Sequence, residues 1–158
     1  KQPIQKINVF KFKMILKFFN KKEEVSQKSD SSDLIKVTAL LIHAAKIDEN
    51  YTEDEKKIIF TFLQNFSKKS DSEVLEIIKS GEEHEGNSNQ ILEYTKSVKK
   101  MDMNLKTLVV ETLWKVILSD NKTGQYENNL MRRICGLLYL PDKISGKIKM
   151  DILEKKKI

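Results

Sequence analysis

Apolar side chains recur every three or four positions through most of this chain, and that spacing constrains its fold more than any other feature. "DLIKVTALLIHAAKI" places them at 34, 37, 41, 44, 45 and 47, and the next stretch at 58, 59, 62, 63 and 66. On a helix such positions fall on one face, whereas a half-buried strand needs strict alternation. No segment alternates with period two for long enough to be a convincing strand. Five glycines and two prolines in 158 residues also give too little turn material for an all-β fold. The expected fold is all-α, a compact helical bundle of about seven helices.

The punctuation between stripes divides the chain. A helix is expected to begin near Ser32 or Asp33. Thr52 followed by Glu55 reads as a capping box for the second helix, and Ser70 with Glu73 as another. The short helix after Ser70 is expected to stop at Gly81, leaving "GEEHEGNSN" as a loop. A helix capped near Ser88 follows, then helices over 104–120 and 125–140, closed by Pro141, and a last basic helix. The domain partition is a basic aromatic segment (1–19), a polar linker (20–32), a helical domain (33–145) and a basic C-terminal helix (146–158). Met14 could also serve as a natural start.

The net charge of +6 is unevenly placed. Residues 1–29 carry eight lysines against Glu23 and Glu24, and residues 143–158 six lysines against Asp151 and Glu154. Residues 30–142 hold fifteen Lys and Arg against nineteen Asp and Glu. The body is therefore mildly acidic between two basic tails, and nucleic acid is not an expected partner. No stretch reaches the roughly 18 apolar residues of a spanning helix. Phe10, Lys11, Phe12, Lys13, Lys17, Phe18 and Phe19 instead interleave rings and ammonium groups, as in a helix lying on an anionic membrane surface. The alternative is a terminal helix packed on the bundle.

Sliding the chain over itself by 72 residues aligns two helix pairs. Leu41 falls on Leu113, Ala45 on Ile117, Ile59 on Met131, Phe62 on Ile134 and Phe66 on Leu138. Between them Asp48 falls on Asp120 and Glu55 on Glu127. Paired apolar stripes are easily matched, but the same acidic spacing at the same point of two joints is not. The chain reads as two helix–acidic loop–helix units related by a pseudo-two-fold repeat.

These residues resemble a family. "ETLWKVILSDNKTGQYENNLMRRICGLLYLPD" and "LLIHAAKIDENYTEDEKKIIFTFL" are similar to the two helix–acidic loop–helix patterns of the TerB-like tellurite-resistance proteins. Those are similar in turn to the N-terminal domain of DjlA-type co-chaperones. The resemblance covers roughly 33–145. It implies an all-helical bundle without established enzyme activity, bacterial stress-related roles, and a divalent cation at acidic loop residues, which here are Asp48, Glu55, Asp120 and Glu127, with Asp54 a weaker addition. Glu49 and Asn121 stand where the family pattern carries a glycine after the loop aspartate, a departure that bears on how tight each loop is.

Two readings of the four acids follow. In the first, Thr52 and Glu55 satisfy backbone N–H groups at a helix start, and Asp48 and Asp120 form Asx turns. In the second, the two joints meet at one end of the bundle and share a cation, a hard ion wanting about six to eight oxygens. Neither joint is an EF-hand: counting from Asp48 the sixth and twelfth places hold Glu53 and Ile59, and from Asp120 they hold Gln125 and Met131. Lys122 makes the second joint the weaker donor.

Other residues point to structure. His43 shares an azimuth with Lys36 and is expected to face solvent, and His84 to sit in a solvated acidic loop. Cys135 lies among Ile134, Leu137 and Leu138 and is expected to be a core residue, as is Trp114 beside Leu113 and Val116. Arg132 and Arg133 are expected to pair with the acidic joints, a surface phosphate site being the alternative. The functional expectation is a non-enzymatic binding or stress-response module, cytoplasmic and peripheral at the inner membrane face. A divalent-metal sensor is the competing reading, and no other cofactor is implied.

Overall fold

Between Val37 and Ala45 the chain has no Lys, Arg, Asp or Glu, so a helix there is apolar on nearly every side and must be enclosed. In the computed structural model, which describes residues 27–87, 91–120 and 124–157, this stretch lies in the central helix α1 (Gln27–Ala45). The stripe read at first as one amphipathic face is therefore buried all round. Val37, Thr38, Ala39, Leu40, Leu41 and Ile42 have no exposure. Thr38 donates its hydroxyl to the Leu34 carbonyl at 2.7 Å, so its burial leaves no orphan donor.

Around α1 run α2 (Glu53–Ser67), α3 (Asp71–Asn87), α4 (Ile91–Lys99), α5 (Met103–Ile117), α6 (Gln125–Leu137) and α7 (Asp142–Lys156). The central helix packs on α3, α4 and α5; α2 bridges α3 and α5; α6 rests on α4 and α7, and α7 lies along α5. Seven α-helices and no strand are present among the described residues, as the periodicity required. Leu63, Leu113, Ile134 and Leu138 join the α1 side chains in one core, each contributing about 1.5–3 kcal/mol by burial.

Two boundaries differ from expectation. The first helix starts at Gln27, so residues 27–32, read as the end of a linker, already belong to α1. The third helix runs through Gly81 to Asn87, and "GEEHEG" is helix rather than loop. Gly81 serves close approach rather than termination: a Cβ there would stand 2.8 Å from Thr38 Cγ2. The glycine lets α3 lie against the central helix, a role that local sequence cannot distinguish from a stop signal. The expected cap at Ser88, the basic aromatic segment 1–19 and Lys122 lie outside the described residues.

Capping chemistry agrees with the sequence. The Glu55 carboxylate accepts from Thr52 N at 2.7 Å and Thr52 Oγ1 accepts from Glu55 N at 3.2 Å. Ser70 and Glu73 make the same exchange at the start of α3, at 2.9 and 3.4 Å. Those bonds from Ser70 hold the Glu73 carboxyl below its ordinary pKa.

Candidate functional site at the two acidic joints

Each joint begins in the same way. Both joints open with a single 3₁₀ turn, Lys46–Asp48 in the first and Leu118–Asp120 in the second, and the repeat aspartate ends each one. At the first joint Asp48 Oδ1 accepts from Asn50 N at 3.0 Å, the Asx turn expected there. Glu49 then takes left-handed backbone, φ 63°, where the family pattern carries glycine. The tight turn thus survives the missing glycine, at the steric cost of a Cβ in that region.

Tyr51 pins the first joint to the bundle. Its ring lies between Lys46 and Lys56, whose ammonium nitrogens are 5.9 and 5.0 Å from the ring centroid. Its hydroxyl is buried with no well-formed hydrogen bond of its own, although the Glu82 carboxylate stands near enough to act on it. Burial first, and then Glu82, raise the phenol pKa.

The capping exchange at the second joint is one-sided. Glu127 accepts from Gly124 N at 2.8 Å, repeating the bond that Glu55 makes to Thr52, but glycine has no side chain to return it. Glu127 is half-buried where Glu55 is 5 % exposed. The Lys156 ammonium, arriving from the end of α7, donates to the Leu118 carbonyl at the start of this joint's 3₁₀ turn. Burial lowers the Lys156 pKa, and the nearby Asp120 carboxylate opposes that shift.

Tertiary structure carries Asp120 of the second joint close enough to the first to act on Glu55. Glu55 has its pKa raised, first by burial, against the two Thr52 hydrogen bonds, and further by the charges of Asp48 and Asp120. The charges of exposed Asp48 and Asp120 thus both act on buried Glu55. Glu127 is placed by its capping bond at the start of α6. Among the described residues, no group of three or more His, Cys, Asp or Glu side chains is gathered to hold a metal ion.

A polar cluster that sequence reasoning missed lies beside the first joint. His43 is not turned to solvent; its Nδ1 is 3.4 Å from Glu85 Oε1, and Lys46 reaches Glu85 Oε2 at 3.0 Å. His84 stands on α3, 3.3 Å from Glu93 on α4, and donates no loop ligand. The two histidines flank the buried Tyr94 ring at centroid distances of 6.3 and 5.5 Å. The available signal was the spacing of Glu82 and Glu85, which share a face once residues 81–87 are read as helix. Arg132 and Arg133 lie exposed on α6, and among the described residues no ion pair joins them to the acidic joints.

Cys135 and Trp114 are core residues, as expected. Cys135 has no exposure, and burial pushes its thiol pKa up, away from nucleophilic chemistry. Trp114 is 4 % exposed and donates its indole N–H to Ser145 Oγ at 3.0 Å.

An all-α bundle in which two helices each end in a 3₁₀ turn closed by an aspartate defines a class of small helical modules. The comparison with protein families gives the particular one: the model of tellurite resistance protein TerB matches residues 34–150, so the chain belongs to the TerB family. That match runs beyond residue 145 into α7. TerB is not a known enzymatic family. Neither curated proteins nor solved structures give a match. Among the described residues no helix is long and apolar enough to cross a membrane.

Proposed function

We propose that this chain is a non-enzymatic TerB-family binding module of a stress response, held at the cytoplasmic membrane face by its basic N-terminal segment and presenting its acidic end to partners. The observation that carries the reading is the convergence of the joints. Exposed Asp48 and Asp120 flank buried Glu55, and like charges gathered there favour a cation-bearing partner. Charge separation supports the membrane part, since the basic aromatic residues precede an acidic body. The same acidity of the body argues against nucleic acid.

Flotation with anionic and neutral vesicles tests this reading. The full chain is expected to bind anionic vesicles, to lose binding with salt, and to lose it when residues 1–19 are removed. Equal binding by the truncated chain sinks the membrane part.

A second reading, divalent-cation sensing, is favoured by one observation: the charges of Asp48 and Asp120 raise the Glu55 pKa, a repulsion that a cation would relieve. One oxygen each of Asp48 and Glu55 is taken by a backbone N–H. The three acids are not gathered into a ready metal-holding group, so an ion at this end would keep most of its water and act chiefly by charge neutralisation. Thermal melts with Ca²⁺, Mg²⁺, Mn²⁺ and Zn²⁺ test it, because a ligand of the folded state alone raises the midpoint. Loss of the shift in Asp48→Asn and Asp120→Asn would support it; no shift with any ion at millimolar concentration ends it.

A further inference from the structure

Helix α4 buries one side and leaves a row of basic and apolar side chains on the other. Ile91, Tyr94, Thr95 and Val98 are buried, whereas Leu92, Lys96 and Lys99 share the exposed side, with Lys100 just beyond the last turn. The carboxylates nearest in sequence are engaged elsewhere, Glu93 with His84 on α3 and Asp102 with the Leu105 N–H in the first turn of α5. Among the described residues no ion pair joins the three lysines to a carboxylate. The row thus keeps its positive charge.

Tyr139 extends this row from the end of α6. The chain turns there through left-handed backbone, φ 56°, with Tyr139 N bonded to Gly136 O at 3.3 Å and Leu140 N to Cys135 O at 2.9 Å. Glycine fills such a corner without steric cost, and a tyrosine does not. Leu138 and Leu140 are buried on either side, yet the Tyr139 ring is 69 % exposed, with the Lys99 ammonium 4.7 Å from its centroid. Core packing gives no reason for the ring, and one exposed cation–π contact does no more than offset the backbone cost.

We propose that Leu92, Lys96, Lys99, Lys100 and Tyr139 form the face by which the body lies on an anionic lipid surface. Lysines beside such a surface are drawn to its headgroup phosphates, while an exposed leucine and a tyrosine enter the boundary between headgroups and acyl chains. Charge complementarity together with this apolar pair selects the occupant. An acidic peptide would use the ammonium groups but offers Leu92 and Tyr139 no apolar layer. The proposal rests on the membrane reading above for bringing the chain to the bilayer, because three lysines are fewer than the roughly four to eight of a self-sufficient basic cluster. The N-terminal segment holds the chain, and the α4 face, at raised local concentration, turns the body onto the surface and adds to the hold.

Flotation of the full chain with vesicles of phosphatidylglycerol and phosphatidylcholine tests it. Wild type is compared with Lys96→Gln/Lys99→Gln/Lys100→Gln, with Tyr139→Gly, and with Lys57→Gln/Lys69→Gln/Lys79→Gln, which removes the same charge from exposed positions elsewhere. The first variant is expected to bind on the order of tenfold more weakly, and the control to lose much less. Tyr139→Gly is expected to bind severalfold more weakly while its urea midpoint holds or rises, since glycine relieves the left-handed corner. A lower midpoint with unchanged binding would make the tyrosine purely structural and remove it from the face. Binding by the first variant equal to wild type overturns the face and leaves the N-terminal reading standing. An equal loss in the control overturns it too, because net charge then explains the binding. Capture by a poly-glutamate peptide through the same lysines, with vesicle binding unchanged in the first variant, overturns the lipid assignment in favour of an acidic protein. If wild type itself does not float with anionic vesicles, the membrane reading has failed, and this proposal with it.

Discussion

Glu55 and Asp120 share one electrostatic environment although each belongs to a different repeat unit. The buried Glu55 carboxyl has its pKa raised by burial and then by the charges of Asp48, in its own joint, and Asp120, in the other. Removing either aspartate charge should let that pKa fall back part of the way, while the burial contribution remains. An NMR titration of Glu55 in Asp48→Asn and Asp120→Asn measures this directly. A Glu55 pKa unmoved by Asp120→Asn would mean that the joints do not meet.

The same group imposes a pH dependence. A carboxyl whose folded pKa lies above its unfolded value binds more protons when folded. Its contribution to stability is therefore largest below the ordinary value near 4.5 and declines as pH rises through the raised folded value. Glu55→Gln keeps an oxygen that can accept from Thr52 N–H but cannot ionise. Denaturant midpoints measured from pH 4 upward should fall less steeply in that variant than in wild type. Parallel profiles for the two proteins would refute the expectation.

Gly81 makes a sharper test of the helix crossing. Gly81→Ala places a Cβ 2.8 Å from Thr38 Cγ2 and 3.3 Å from Ile42 Cδ1, in a part of the core where Thr38 and Ile42 have no exposure. Overpacking of that kind costs about 1–3 kcal/mol. Thr38→Ser removes the nearest methyl and should recover part of the loss in the double variant. Gly86→Ala meets nothing within 4 Å and should be neutral, or stabilising by up to about 1 kcal/mol. Urea melts of the four variants are sufficient, and equal losses at 81 and 86 would mean that α1 and α3 are not so close.

Thr52→Ala should cost about 1 kcal/mol, the usual loss for a cap hydroxyl. Glu49→Gly should act in the opposite direction. It removes a Cβ from backbone at φ 63°, at the position where the family carries glycine, so a gain of up to about 1 kcal/mol is expected from urea melts.

The Trp114–Ser145 bond gives a last prediction. Ser145→Ala leaves a buried indole N–H without its acceptor, at a cost of about 1–3 kcal/mol. Because Trp114 is the single tryptophan, its emission reports the change at one place. Cys135 has no exposure and should react with a thiol reagent only as fast as the protein opens. Ser145→Ala should therefore speed that labelling as well, and fast labelling of the folded wild type would contradict the packing.

Much of this is legible in the amino-acid sequence. The period of the apolar residues dictated helices, Thr52–Glu55 and Ser70–Glu73 marked two helix starts, and the recurrence of Asp48 at Asp120 marked the repeat. These signals are local or periodic, and backbone hydrogen bonding and side-chain azimuth turn them into structure without help from distant residues. Gly81 shows where such reading stops. A glycine after a helical stretch looks like an end, and only the Thr38 side chain lying against it explains why the helix continues. His43 was likewise misplaced: an azimuth shared with Lys36 says nothing of Glu85, which α3 carries to it from the other side.

By itself, then, the sequence determined that the chain is helical and which residues cap the helices beginning at Glu53 and Asp71. Tertiary structure alone decided that α1 is the enclosed helix, that Glu85 is held by His43 and Lys46, that Lys156 reaches the second joint, and that Asp48, Glu55 and Asp120 act on one another. The division has a physical cause. Hydrogen-bonded turns and apolar stripes are set within a few residues of chain, whereas the field at a buried carboxyl depends on which distant charges packing carries to its side.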